Sequence, residues 1–574
     1  MPRANETVEA LLQEYADLLS ISGADPFKPR AYEKAARAVG GFHTDIAGLD
    51  LKGLQGIPNV GKSIAEKIHE YLESGSMPAL EEMRAQVPAG VREMMSIPGL
   101  GPKKAFALHR ELGIASVQEL AEALDAGRLQ GMKGFGEKTE ENIRHGIQLM
   151  QQSGGRVQIG AAMEVSSEII AALEGLKQVG RIDFAGSLRR MAETIGDVDI
   201  LVASDDAAPV MEAFASLPQA AEIIARGETK TSIRTRAGLQ VDLRVVPPEV
   251  WGAALQYFTG SKAHNIRIRE IAVRKGLKLS EYGLFRVEDD SLIVAKTEEE
   301  VYERLGMPWI PPTLREDRGE VEAALAGTLP ALVQLKDVRG DLHTHTNLTD
   351  GLASLEQMLE AAAQRRYAYY AVTDHAPNLY MQRMTDEKIL DQRDKLRKLQ
   401  SKYPKMTLLH GTELNIDGDG SVDWDAEFLE GFDVTVASVH TLFGQSKDEM
   451  TRRIVRACEN PHVNIIGHPT ARMIGRRTPI EFDLEEVFKA AARTGTALEI
   501  NGFPDRLDLR DEHVMWARRH GVKFSVDTDS HSTVHLDFMR YGIGTAQRGW
   551  LTKDDVINTW PLSKLRRFLR KGRG

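Results

Sequence analysis

Cysteine is nearly missing from this chain of 574 residues: Cys458 is the only one. That excludes an internal disulfide and any zinc cluster built on several thiolates, and it suits a reducing cytoplasm. No uninterrupted apolar run approaches the roughly 20 residues that span a bilayer, and the opening MPRANETVEALLQEYADLL has no apolar signal core. A soluble protein with no membrane partner is therefore expected. An excess of positive charge is also lacking. The formal net charge is −10, which argues against nucleic-acid binding by the whole surface. It leaves local phosphate sites open, because backbone amides bind phosphate without adding charge, and clustered metal-binding carboxylates inflate the acidic count.

What is present is enough for several domains. The length exceeds what one core usually supports, and 42% hydrophobic with 27% charged residues reads as globular. With thiolates excluded, any bound metal must rely on His and carboxylate.

One pattern occurs three times in the first 150 residues: LQGIPNVGKSIAEKI (54–68), MSIPGLGPKKAFALH (95–109) and LQGMKGFGEKTEENI (129–143). Each copy sets a Gly-containing turn just before a helix, where free amides meet a phosphate and glycine permits close approach. The repeat resembles the helix-hairpin-helix element, which grips the DNA backbone. That resemblance assigns DNA contacts to Gly56, Gly61, Lys62, Gly99, Gly101, Lys103, Gly134, Gly136 and Lys138.

Beyond the QQSGGR turn, RIDFAGS, DVDILVA and LQVDLRVV read as strands of a small α/β sheet. Strand side chains alternate, so Asp197 and Asp199 share a face, and Asp242 adds a third carboxylate from another strand. Two hard cations about 3.5–4 Å apart need such a set. In G-S-x-R-R…G-D-x-D with a later V-D-L-R, the segment resembles the nucleotidyltransferase superfamily. The resemblance gives Ser187 and Arg190 the β- and γ-phosphates, with Gly186 and Gly196 keeping the backbone close.

YFTGSKAHNIRIREIAVRKGLKLSEYGLF resembles the thumb segment of family X DNA polymerases. It implies that Tyr257, Phe258 and Gly260 line the sugar, Asn265 meets the base edge and Arg269 the template side. Lys262 stands where vertebrate members carry an acid, which bears on nucleotide contacts. PFKPRAYEKAARAV resembles the 5′-phosphate-binding helical domain of that family, implicating Lys28 and Tyr32, and Lys67 matches its Schiff-base lysine, although Ser63 replaces a second lysine.

The last third opens on GDLHTHTNLTDG, with His343, His345 and Asp350. Further candidates stand where short β runs end: His375, Glu413, His440, His468, Asp529 and His531. Alternating strands and helices mean a parallel barrel or a doubly wound sheet. In a barrel the C-terminal strand ends converge on one mouth, and imidazole with carboxylate suits Zn²⁺, Mn²⁺ or Fe²⁺. The pattern resembles the PHP (polymerase and histidinol phosphatase) family, with all nine ligand positions filled. That implies a distorted (β/α)₇ barrel holding two or three ions and hydrolysing phosphoesters. Arg477 is a candidate phosphate ligand and Asp374 a candidate acid behind the ligands.

The expected layout is a 5′-phosphate/lyase-like domain (1–85), a second helix-hairpin-helix domain (86–155), an α/β palm (156–250), a thumb (251–315), a linker (316–337) and a PHP barrel (338–574). Together the resemblances imply a monomeric bacterial-type family X DNA polymerase using dNTPs and Mg²⁺ or Mn²⁺ on gapped or primed DNA. The PHP site would act on 3′ ends and abasic sites. Two other readings are a PHP phosphatase of small metabolites with an appended DNA-binding region, and a non-catalytic DNA-binding scaffold.

Overall fold

The computed structural model describes residues 4–21, 27–42, 44–95, 97, 100–136, 139–144, 146–147, 155–236, 238–379 and 382–571. Gly99 and Lys138 lie outside these described residues.

Short amphipathic helices make up the N-terminal region around one core running from Val8 to Ile147. The three repeats fold alike. Their turns carry the same pair of backbone bonds: Ile57 N to Leu54 O and Val60 N to Ile57 O, Ile97 N to Met94 O and Leu100 N to Ile97 O, Met132 N to Leu129 O and Phe135 N to Met132 O. Apolar residues at those positions face the core, which leaves the glycines outside. Gly61 and Gly101 cap helices Lys62–Ser74 and Pro102–Leu112 with no side-chain cap bond, and nothing lies within 4 Å of where their Cβ atoms would be. Pro102 has no N–H, and Ile64 and Lys104 donate back to Gly61 and Gly101, so the first-turn amides left for an incoming acceptor are those of Lys62, Ser63 and Lys103.

A five-stranded sheet follows, in the order Arg181–Phe184, Asp197–Ala203, Gln240–Val246, Lys230–Thr235, Ala220–Arg226. Its second and third strands are parallel and in register, with Asp199 beside Asp242. Helices Ile159–Glu174 and Ala207–Ala215 share its core with Val198, Ile200, Val202, Val241 and Leu243. Helices Trp251–Thr259 and Lys262–Arg274 and a three-stranded antiparallel sheet come next.

Residues 316–337, expected as a linker, are packed. Helix Glu320–Leu325 puts Val321 and Ala324 into the core of the preceding unit, and Glu320 Oε1 lies 2.6 Å from Nδ1 of the buried His264. Farther on, Val333 N donates to Leu551 O at 2.9 Å. The apolar spacing of this charged stretch makes it a fastening between two units.

The last unit is a sheet of seven parallel strands in chain order: Gly340–Asp341, Tyr369–Val372, Thr407–Asn415, Val434–Ser438, Ile465–Ile466, Ala497–Asn501 and Phe524–Asp527. The strands are buried almost throughout, as expected when helices cover the outside. First and last strands meet: Leu342 N donates to Asp527 Oδ1 (2.9 Å) and His345 N to Ser530 O (2.8 Å), making the sheet a barrel. Leu507 and Tyr541 from this unit enter the core of the five-stranded sheet, and Arg472 pairs with Glu193 at 2.7 Å. Among the described residues no helix is long and apolar enough to cross a membrane.

Candidate metal centres

The first site lies on the five-stranded sheet. Val198 is buried between Asp197 and Asp199, so alternation turns both carboxylates away from the core. Asp242 accepts from Lys230 Nζ (2.6 Å) and Gln240 Nε2 (3.0 Å). Burial, then the charges of Asp197 and Asp242, push the Asp199 carboxyl up to about 7. Burial works against ionisation of Asp242 too, but the bonds from Lys230, Gln240 and Ser232 outweigh it and hold the group below its ordinary range. The mutual repulsion marks a place where a divalent cation would be stabilised.

Gly186 stands against this site with φ +60, and a Cβ there would lie 2.6 Å from Asp199 Oδ2. Only glycine lets the Gly186–Ser187 backbone come so near. Gly196 abuts Arg156, where a Cβ would be 3.1 Å from Nη1. Arg190 Nη1 donates to Thr259 O at 2.6 Å and Nε to Glu316 at 3.0 Å. Phe258 sits edge-on to Tyr257 and under the Arg244 guanidinium. Gly260 adopts φ +65 beside Arg190, Lys262 is exposed, and Arg269 Nε donates to Asn265 O. Asn265 was expected at a base edge; its amide is occupied by Gln256 (2.8 Å) and Tyr257 O (2.7 Å), and the residue is buried.

In the N-terminal region Lys67 Nζ donates to Ser63 Oγ at 3.2 Å. Lys28, Lys62 and Lys103 are exposed, as are Gly56, Gly134 and Gly136. Tyr32 departs from expectation: it is 3% exposed and packs against Tyr15, 4.8 Å between ring centres. Its ring is part of the N-terminal core.

The second site is the barrel mouth, where all nine expected residues meet. Their ligand atoms form three groups: His345, Asp350, His375 and His531; His343, His345 and Asp529; His375, Glu413 and His440. His468 Nε2 lies 3.1 Å from Glu413 Oε1. All but Asp350, which the following loop carries, lie near a strand end, so parallel strands bring distant residues together. Several buried ring nitrogens are close to a carboxylate without bonding to it. His343 Nε2 is 3.4 Å from Glu413 and His345 Nε2 3.1 Å from Asp529, yet neither forms a hydrogen bond. Atoms that aim past one another at common points fit cations bound between them.

The charge balance agrees. Burial opposes ionisation of Glu413, but His375, His440 and His343 outweigh it and hold the carboxyl well below its usual range. Burial likewise disfavours charged imidazole, yet Glu413 and Asp350 raise His375 to about 10, and Asp350 with Asp529 raises His531 to about 9. The carboxylates thus draw positive charge into a closed mouth.

Three residues that the motif reading missed support the ligands. Glu499 Oε1 lies 2.7 Å from His343 Nδ1, which orients that ring. Asn501 Nδ2 donates to Asp529 Oδ2 at 3.0 Å. Arg506 comes within 3.5 Å of Asp529 and has a buried Nη1 with no hydrogen-bond partner among the described residues. Arg477 instead spends its Nε on Ala471 O and stacks over Phe443. Asp374 accepts from Thr346 N and Oγ1 and from Thr349 Oγ1, so it fixes the loop that carries Asp350 rather than a histidine.

Comparisons with known proteins agree with this architecture. Family models match for a helix-hairpin-helix domain (residues 3–77), a SAM-like helix-hairpin-helix tandem (91–148), a DNA polymerase beta thumb (254–316) and a PHP domain (341–502). The chain is 36% identical over 564 residues to the DNA polymerase/3′-5′ exonuclease PolX of Bacillus subtilis (strain 168), covering 98% of each. It is 27% identical to DNA polymerase lambda of Rattus norvegicus over 342 residues, 54% of this chain and 55% of that protein. A protein of Thermoanaerobacter sp. (strain X514) named as a probable phosphatase is 28% identical over 244 residues, 40% of this chain and 94% of its own.

Proposed function

The chain belongs to the bacterial family X DNA polymerases with a PHP domain, and from that premise we propose how its residues divide the work of polymerase and 3′-end phosphoesterase. The observation that carries the proposal is that two separate sets of candidate ligands exist, Asp199 beside Asp242 on paired strands with Asp197 on the same face, and imidazoles with carboxylates at the barrel mouth.

In the palm, Asp197, Asp199 and Asp242 hold Mg²⁺ or Mn²⁺. When bound, these cations lower the pKa of the primer 3′-hydroxyl and balance charge on the triphosphate. The Gly186–Ser187 backbone and Arg190 receive the triphosphate, with Gly196 keeping the backbone close to it, and Tyr257, Phe258 and Gly260 line the sugar. Lys230 now occupies Asp242 and would have to give way for a cation there. A base edge in the minor groove offers acceptors, so Asn265 must turn an Nδ2 hydrogen toward it from the bond to Tyr257 O, and its use for recognition requires a local shift when the nucleotide binds.

In the barrel the nine residues would hold two or three Zn²⁺, Mn²⁺ or Fe²⁺ ions, which would supply an activated water and positive charge for the scissile phosphate. Glu499 holds the His343 ring, and the unpartnered Nη1 of Arg506 supports a role for it in meeting a phosphate oxygen. The open amides at Gly61 and Gly101, with Lys62 and Lys103, support backbone-only DNA binding, so the substrate is short-gap DNA of any sequence, handled in the cytoplasm. The test is a labelled primer on gapped DNA with dNTPs and Mg²⁺ or Mn²⁺ supplied separately, beside a small phosphomonoester. Extension and 3′-end removal are expected; phosphomonoester hydrolysis with neither would favour a metabolite phosphatase.

A further inference from the structure

The helix Met539–Arg548 belongs to the barrel, yet its last residue reaches the nucleotide side of the palm. Arg548 Nη1 donates to Glu316 Oε1 (2.7 Å) and to the backbone carbonyl of Arg190 (2.8 Å), while its Nε donates to Asp511 Oδ2 (2.8 Å). Glu316 Oε1 is also the acceptor for Arg190 Nε at 3.0 Å. One carboxylate oxygen therefore lies between two guanidinium groups, one from each domain. The far side is anchored as well, because Arg318 Nη1 donates to the same Asp511 oxygen at 3.0 Å.

The approach is close by construction. A Cβ at Gly544, one helical turn before Arg548, would lie 2.7 Å from the Met191 side chain. Arg548, Asp511, Arg190 and Glu316 are 9%, 12%, 14% and 17% exposed, too little for solvent to screen their charges fully.

We propose that Arg548 is a positioning residue for the polymerase: it neutralises Glu316 and holds the Arg190 backbone, so that the Arg190 guanidinium remains available to the incoming triphosphate. The inference rests on the reading of Arg190 as a triphosphate ligand. The geometry states the consequence. With Arg548 in place, Glu316 shares its charge between two cations, and Arg190 meets it through Nε while Nη1 donates to Thr259 O. Without it, the full carboxylate charge falls on Arg190 and competes with the phosphates. The barrel is then part of the nucleotide site although its own metals lie elsewhere.

The experiment compares full-length Arg548→Ala, Arg548→Lys, Glu316→Gln, Arg548→Ala/Glu316→Gln and Arg190→Ala in single-nucleotide gap filling, with KM for dNTP and kcat measured separately. Hydrogen bonds to charged groups set the scale at about tenfold. Arg548→Ala should raise KM for dNTP by about that factor with little change in kcat and unchanged 3′-end hydrolysis. Adding Glu316→Gln should restore most of the loss, and Arg548→Lys should fall between. A merely structural role would lower both activities together and would not be rescued by Glu316→Gln. If Arg548→Ala fails to fold, Arg548→Lys and Glu316→Gln still decide: Arg548→Lys with a wild-type KM, or Glu316→Gln with a raised one, would overturn the proposal. Arg190→Ala separates the two levels. If it raises KM and Arg548→Ala does not, the inference fails alone; if Arg190→Ala leaves KM unchanged, the triphosphate reading fails and takes the inference with it.

Discussion

Glu413 is the hub of the barrel mouth, and replacing it by Gln should disable the phosphoesterase while sparing the polymerase. Its Oε1 lies 3.1 Å from both His440 Nε2 and His468 Nε2, and its Oε2 lies 2.9 Å from His375 Nδ1, 3.4 Å from His343 Nε2 and 3.5 Å from His345 Nε2. Gln has the same shape, so the change removes charge and little else. A unit charge about 4 Å from each unit of cation charge is worth ~4 kcal/mol at an effective dielectric of about 20. That corresponds to roughly a thousandfold in affinity. Gln keeps one oxygen ligand and some of the loss will relax, so about a hundredfold is the expected floor. Metal content after exchange into metal-free buffer, 3′-end hydrolysis and gap filling would be measured on the same preparation. Wild-type metal retention and hydrolysis in Glu413→Gln would refute the claim that this carboxylate joins the ions.

Three further outcomes are expected. Asp242→Ala should abolish nucleotide addition and leave hydrolysis largely intact, and substantial residual extension on gapped DNA would remove Asp242 from the site. Because the Asp199 carboxyl titrates at about 7, protons compete with cations below that pH. The half-saturating Mg²⁺ for extension should rise by up to about tenfold per unit as pH falls through 7, and a requirement that stays flat would contradict the assignment. Lys67→Ala should lower any borohydride-trapped adduct with an incised abasic site; unchanged trapping would leave Lys67 a surface residue bonded to Ser63.

The repeats and the barrel ligands were legible because both depend on chain-local signals. Glycine before a helix marks each hairpin turn, and a His or Asp after a short β run marks a strand end that parallel strands must gather. Glu499 and Arg506 were hidden for the opposite reason. They sit in ALEINGFPDRLDL without motif spacing, and their use comes from contacts across strands with His343 and Asp529. Tyr32 shows the limit of a motif: an aromatic in a helix expected to meet DNA packs edge-on against Tyr15 inside the core. The stretch 316–337 read as a linker from its charges and from the Pro-Pro at 311–312 just before it, yet Glu316, Arg318 and Glu320 find partners far away in sequence at Arg548, Asp511 and His264. Side-chain pairing across domains leaves no periodic trace.

The central claim is that two metal centres perform two reactions. It is tested most directly by His343→Ala/His345→Ala in the full chain, assayed for both activities on one labelled gapped substrate after its thermal transition shows it folded. Loss of both imidazoles from one chain segment should collapse 3′-end hydrolysis and the barrel's metal content, while gap filling persists because Asp197, Asp199 and Asp242 lie in another domain. Retained metal-dependent degradation, or equal loss of both activities, would contradict the account.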